Sequence, residues 1–325
     1  MGQAGAERRR AGSLLVITLW IVTILATLAI AIGRYLSTEA RLIKYRLARE
    51  RAMALARSGV YLAMERLQQD QGQEPYDWLG DEWARPAEDQ DVWVVSLPGG
   101  GSEGQEQDGG RDARGRIEIR MTDEERKLNL NEVSAAVLTD LLMQARIPLD
   151  VVKLANTIVE YRDPKKPGED WSEGQPPYFA KNQLFAAPEE LYDLPEMTPQ
   201  AYQVLASATT CYTASLAALN INTVTPEVLL AMGVSEDGRD KLVAYREQGH
   251  AFETETELIN QLREKVFLRD EDINTLGAMH VTSQAFTVVS EGIVQAPAVR
   301  ARVRAVVRRS TSSEKELDIL AWREG

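Results

Sequence analysis

Between Arg10 and Arg34 run 23 residues without a charged side chain. At 1.5 Å per residue they build a helix of roughly 35 Å, longer than the ~30 Å hydrocarbon core of a bilayer. A core helix of a soluble domain is seldom apolar on every side over such a length. A cleavable secretory signal is the rival reading, because Ala29-Ile30-Ala31 offers a small-x-small cleavage site. The helical pattern nevertheless runs on. Leu36, Ala40, Ile43 and Leu47 repeat at 4-3-4 spacing, and no Pro or Gly falls between Arg34 and Ser58. One helix from about Ser13 to Gln71 is expected, ended by Gly72 and Pro75: a membrane anchor continued by an amphipathic stem. Charge leaves the orientation open, since Arg8, Arg9 and Arg10 precede the span while Arg34, Arg41, Lys44, Arg46, Arg49 and Arg51 follow it.

The rest of the chain is acidic. Residues 1–51 hold nine Lys/Arg against three Asp/Glu, so residues 52–325 carry the remaining 28 bases against 46 acids, net −18. Such a body is a poor match for a phosphate backbone, and no nucleic-acid partner is expected. Cys211 is the one cysteine and His250 and His280 the two histidines, which excludes an intrachain disulfide and Cys- or His-rich metal clusters. Gly99-Gly100-Gly101-Ser102-Glu103-Gly104 satisfies both G-x-G-x-x-G and G-x-S-x-G. Either chemistry needs a helix directly behind the glycines. The acidic, Gly-rich residues that follow cannot form one, so residues 98–115 read as a solvated loop and no enzyme is expected.

Strands are expected at residues 92–97, 116–121, 286–294, 299–309 and 317–322, with a helical period from about Met121 to residue 280. Arg300, Arg302 and Arg304 alternate with Ala301, Val303 and Ala305, giving one charged, solvated or acid-paired sheet face. The helical block repeats itself. Leu128-Asn129-Leu130-Asn131-Glu132-Val133-Ser134 returns 91 residues later as Leu219-Asn220-Ile221-Asn222-Thr223-Val224-Thr225. Each copy goes on to a Tyr-Arg pair, a Phe and a Glu-Leu. Ser134 and Thr225 are expected to cap helices, and the asparagines to tie down the preceding turns. The second copy resembles helix-hairpin-helix modules. Those hold phosphate on a tight Gly-x-Gly hairpin, where this chain has the acidic Gly233-Val234-Ser235-Glu236-Asp237-Gly238.

The first copy spends 17 more residues than the second between its Tyr and its Phe. They include Asp163, Glu169 and Asp170, with Gly168 for a bend and Pro164, Pro167, Pro176 and Pro177 for stiffness. Clustered carboxylates on a bent loop suit a hard cation such as Ca²⁺, and a solvated acidic loop is the alternative. Asp270-Glu271-Asp272 mimics an EF-hand start without its later ligands and reads as a helix start.

Two stretches carry a family resemblance. Arg10-Ala11-Gly12-Ser13-Leu14-Leu15-Val16-Ile17 is similar to a type IV prepilin leader, a basic segment ending in Gly before an apolar helix. The resemblance implies cleavage between Gly12 and Ser13 by a prepilin peptidase, methylation of the new N-terminus, and a cytoplasmic N-terminus. Most members carry Glu where this chain has Ile17. Members without it include the general secretion pathway protein K family, the large minor pseudopilins of type II secretion. Residues 161–191, with Gly168-Glu169-Asp170, Tyr178, Asn182-Gln183-Leu184-Phe185 and Glu189-Glu190-Leu191, also resemble that family. There the region helps bind calcium, which implies a site at Asp163, Glu169 and Asp170, although Lys165 stands where the family has an Asp.

The fold expected is α+β. A leader (residues 1–12) and a transmembrane and stem helix (13–71) precede a pilin-like αβ domain with an antiparallel sheet (72–123 and 281–325). That domain is interrupted by an all-helical insertion (124–280) of two helix-hairpin-helix-like modules, about 124–212 and 213–280. The resemblance implies a single-pass inner-membrane protein with a periplasmic C-terminal domain, at or near the tip of the type II secretion pseudopilus. Its partners would be other minor pseudopilins, packed through the stem, in the export of folded proteins across the outer membrane. A membrane-anchored DNA-uptake protein and a tethered hydrolase are the alternatives.

Overall fold

The computed structural model describes residues 4–70, 75–85, 92–96, 115–163, 181, 183–215, 218–310 and 317–325, with side chains from residue 16 onward. The expected loop at 98–115, with its glycine motifs, lies outside these residues save for Gly115. So do Glu169 and Asp170.

A single helix, α1 (Ala4–Asp70), forms the spine. It starts nine residues before the expected Ser13 and runs through Gly5 and Gly12, with no Pro to end it. Its lower part, from Val16, is long and apolar enough to cross a membrane, and none of that stretch is buried within the molecule. Its upper part lies on a five-stranded antiparallel sheet ordered β1-β2-β5-β6-β7. The strands are β1 (Trp93–Ser96), β2 (Gly115–Asp123), β5 (Ala285–Gln295), β6 (Ala298–Arg309) and β7 (Leu317–Glu324). Helix and sheet touch through small residues. Ala52, Ala56 and Ala63 are fully buried. A Cβ at Gly292 would stand 1.9 Å from the Ala52 carbonyl oxygen and 2.7 Å from the Ala56 nitrogen. Glycine is required there because the strand backbone meets the helix backbone directly. Around this seam Val60, Leu67, Ile117, Phe286, Val288, Val303 and Val307 make one apolar core.

Strands β2 and β5 pair along their whole length, Asp123 opposite Phe286 and Gly115 opposite Val294. Everything between Asp123 and Ala285 therefore leaves and re-enters the sheet at one end, beside the top of α1. This part holds a second core, from Leu128 to Val281. It consists of α2 (Ala135–Gln144), α3 (Val151–Arg162), a 3₁₀ turn (Pro188–Asp193), α4 (Pro199–Ala208), α5 (Pro226–Ala231), α6 (Glu236–Glu247), α7 (Glu255–Glu264) and α8 (Asp270–Leu276), with a two-residue parallel ladder of β3 (Leu128–Asn129) and β4 (Thr209–Thr210).

The repeated sequence makes the same turn twice. Ser134 caps α2 by accepting from Val137 N, and Thr225 caps α5 by accepting from Val228 N. Asn129 Oδ1 accepts from Asn131 N as Asn220 Oδ1 does from Asn222 N, each at 2.8 Å. Asn131 exchanges two bonds with the Phe185 backbone, and Asn222 does so with Phe252. Arg162 donates to the Leu130 and Val133 carbonyls, and Arg246 to those of Ile221 and Val224. Each guanidinium thus closes the C-terminal end of its turn from the next helix but one.

Candidate functional site

Three places bear on function: the outer face of the stem, the joint where the insertion meets the sheet, and the end of α3. On the stem, the residues that meet the sheet occupy one side. At the helical step of about 100°, Leu36, Ala40, Ile43, Leu47, Ala54 and Tyr61 fall together on the opposite side. Leu36 is 59%, Ile43 60% and Tyr61 60% exposed. Tyr61 meets the Trp322 ring across 6.3 Å, and the rest of this apolar line is exposed, a surface built to be covered.

The joint is polar and buried. Asp77, on the segment after the stem, accepts from Ser283 N and from Arg309 Nη1, both at 2.7 Å, and its own N–H bonds the Val281 carbonyl. Ser283 Oγ donates to Asp123 Oδ2 at 2.7 Å. Asn220 Nδ2 donates to both the Asp77 carbonyl and Ser283 Oγ. Thr223 adds a second hydroxyl to Asp123. Stem end, sheet end and insertion are thereby tied through six side chains at most 4% exposed. Asp70, Asp77 and Asp81 bring carboxylate oxygens within 4.8 Å of one another, a grouping sequence reasoning missed. The Arg309 guanidinium, 2.7 Å from Asp77 and 3.4 Å from Asp70, already supplies a cation there. It reaches Asp77 from 232 and Asp70 from 239 residues away in sequence, and no local pattern announces it.

Burial pushes the Asp123 carboxyl up to about 6 against the pull of its hydroxyl partners. Burial, joined by the charge of Asp123, pushes Glu125 up to about 8. Glu124 is buried beside them, yet Lys127 at 2.7 Å and the Thr287 hydroxyl outweigh burial and hold it below the usual carboxylate range. Burial raises the Cys211 thiol, which keeps it protonated and inert at neutral pH.

Of the residues singled out in sequence, Gly12 and Ser13 lie within α1, and their side chains lie outside the described residues. Asp163 is the C-cap of α3, its N–H bonded to the Val159 carbonyl and its backbone turned to extended geometry. It points the chain into residues 164–180, where Glu169 and Asp170 lie outside the description. His280 pairs with Glu255 and His250 stacks on Tyr245.

The comparisons with known proteins agree with this architecture. The family model for type II secretion system protein K, first domain, matches residues 115–214. No protein of curated function matches the sequence. A chain of the crystal structure of the GspK-GspI-GspJ complex from the enterotoxigenic Escherichia coli type 2 secretion system shares the fold, with TM-score 0.64 at 18% identity, over 89% of this chain and 99% of that one. The sequence match covers β2 and the first part of the insertion, and the fold match extends over most of the chain, so residues 115–214 are similar to the type II secretion system protein K family and the whole shares its fold with a chain of that solved complex.

Proposed function

We propose that this protein is a minor pseudopilin at or near the tip of the type II secretion pseudopilus, acting in the export of folded proteins as a structural subunit and not as an enzyme. The observation that carries this is the uncovered apolar line on the stem, opposite the side clamped by the sheet. Such a subunit lays its stem against other stems. The similar chain comes from a complex of GspK with GspI and GspJ, which supports other minor pseudopilins as the partners. The position of the insertion supports the tip. Residues 34–70 rise about 55 Å above the apolar run, and the second core sits at their far end, where it would block another subunit from stacking above.

The same reading takes residues 1–12 as a leader removed between Gly12 and Ser13 by a prepilin peptidase, with the N-terminus cytoplasmic and the body periplasmic. It also takes Asp163, with Glu169 and Asp170, as carboxylates for Ca²⁺. The function is tested by Ile43→Asp/Leu47→Asp in the full chain. The variant should keep the melting temperature of the parent and lose co-purification with the other minor pseudopilins of its operon. Undiminished co-purification would overturn the stem-packing reading.

A further inference from the structure

The cations of the stem fall into two groups. Higher up, Arg57 pairs with Glu324 at 2.7 Å, and Arg66 pairs with Glu82 while lying 3.5 Å above the Trp93 ring. Lower down, Arg34, Arg41, Lys44, Arg46, Arg49 and Arg51 share residues 34–51 with only Glu39 and Glu50. All six are exposed, and none has an ion pair among the described residues. By the helical step they occupy every side of α1 except that of Leu36, Ile43 and Leu47. Six cations on one helix with no ion pair among the described residues repel one another, and an anionic partner would relieve that repulsion.

Their height identifies it. Arg34 follows the apolar run directly, and Tyr35 beside it is an exposed aromatic at the level where bilayers favour Tyr and Trp. Arg41 and Lys44 stand roughly 12 and 17 Å above Gly33. Their side chains can reach down toward the headgroup layer, and the rest of the distance is comparable with the ~8 Å Debye length of physiological salt. Here the sheet also comes lowest. The β5–β6 turn, Ala296 and Pro297, faces Arg41, Lys44 and Tyr45 across a notch of about 420 Å³. Among the described residues the notch has two cations, a phenol and an apolar floor, with no carboxylate in its lining. That chemistry suits a phosphodiester with its glycerol.

We propose that the foot of the stem is a binding collar for anionic phospholipid headgroups, which holds the subunit in the bilayer by charge as well as by its apolar span. The collar rests on the membrane-anchor reading. The test reconstitutes the full chain in phosphatidylcholine bilayers with a trace of spin-labelled phosphatidylglycerol or spin-labelled phosphatidylcholine. Electron spin resonance then measures how strongly each is restricted beside the protein. Phosphatidylglycerol should be preferred about threefold, and 1 M NaCl should abolish most of the preference. The variant Arg41→Gln/Lys44→Gln/Arg46→Gln/Arg49→Gln should restrict phosphatidylcholine as the parent does and lose most of the preference. A preference that survives in the variant belongs to Arg8, Arg9 and Arg10 and overturns the collar, as would equal restriction of the two lipids by the parent. Restriction of neither lipid would overturn the anchor reading, and the collar with it.

Discussion

Asp123 ends β2 and Glu125 lies two residues beyond it, both buried, and both hold their protons far more tightly than in an open chain. A carboxyl with a higher pKa folded than unfolded takes up protons on folding, so its contribution is complete below the unfolded value and is lost as pH rises through the folded one. The window here runs from about pH 4 to about pH 8. Chemical denaturation should show the full chain on the order of 2 kcal/mol less stable at pH 8.5 than at pH 5.5, with Asp123→Asn/Glu125→Gln flattening the dependence. A flat profile in the parent would mean that Arg309 and the hydroxyls neutralise both groups. Asp163 is tested at the same scale. Saturating Ca²⁺ at a hundredfold excess over Kd should stabilise the protein by about 2.7 kcal/mol, and Asp163→Ala/Asp170→Ala should remove the effect. An unchanged melting temperature in the parent would drop the metal. At this scale the sequence was partly legible. Ser134, Thr225 and the asparagines bond as their spacing predicts, because capping is local. Asp77, Ser283 and Arg309 were illegible, because long-range pairing leaves no mark in a window of ten residues.

Among elements, the seam of α1 on β5 is the most exacting. A side chain at Gly292 meets main chain on the helix, which cannot rotate away, whereas one at Gly115 meets only the Leu55 side chain, 2.7 Å from its Cδ1. Gly292→Ala should therefore cost about 3 kcal/mol and Gly115→Ala under about 1 kcal/mol, read as melting midpoints of the full chain. Equal costs would show that the helix slides freely on the strand. The five strands were readable from periodicity within two residues at each end, and the long helix at its C-terminal end. The β3–β4 ladder was not, since two residues carry no period, and neither was the start of α1 at Ala4. That start leaves the bond between Gly12 and Ser13 inside a helix. Cleavage there requires local unwinding, which a glycine makes easy. The intact mass of protein extracted from membranes should correspond to an N-terminus at Ser13. A mass that places the N-terminus at Ile32 would support a signal-peptidase cut and end the leader reading.

For the molecule as a whole, β2 and β5 are neighbours at every residue although the insertion separates them in sequence. This has a consequence for how the chain acquires its structure. Before the insertion is formed, closing β2 on β5 means closing a loop of some 160 residues, an entropic obstacle of the kind that slows folding. The insertion has its own apolar core, and its first and last residues meet at the joint of Asp77, Asp123 and Ser283. Once it has folded, the effective loop shrinks to a turn, and β5, β6 and β7 can then add as successive hairpins. The expected order is insertion first and sheet second, with α1 clasped last along Gly292. Pulsed hydrogen exchange during refolding should protect amides of α2, α3, α5 and α6 before those of β5 and β6. Simultaneous protection would mean that the two cores form as one cooperative unit. While the sheet waits, β2 and the stem's small-residue face stand open, so the same topology that sets a large cap on a slender stem also makes the newly made subunit depend on the speed with which that cap folds.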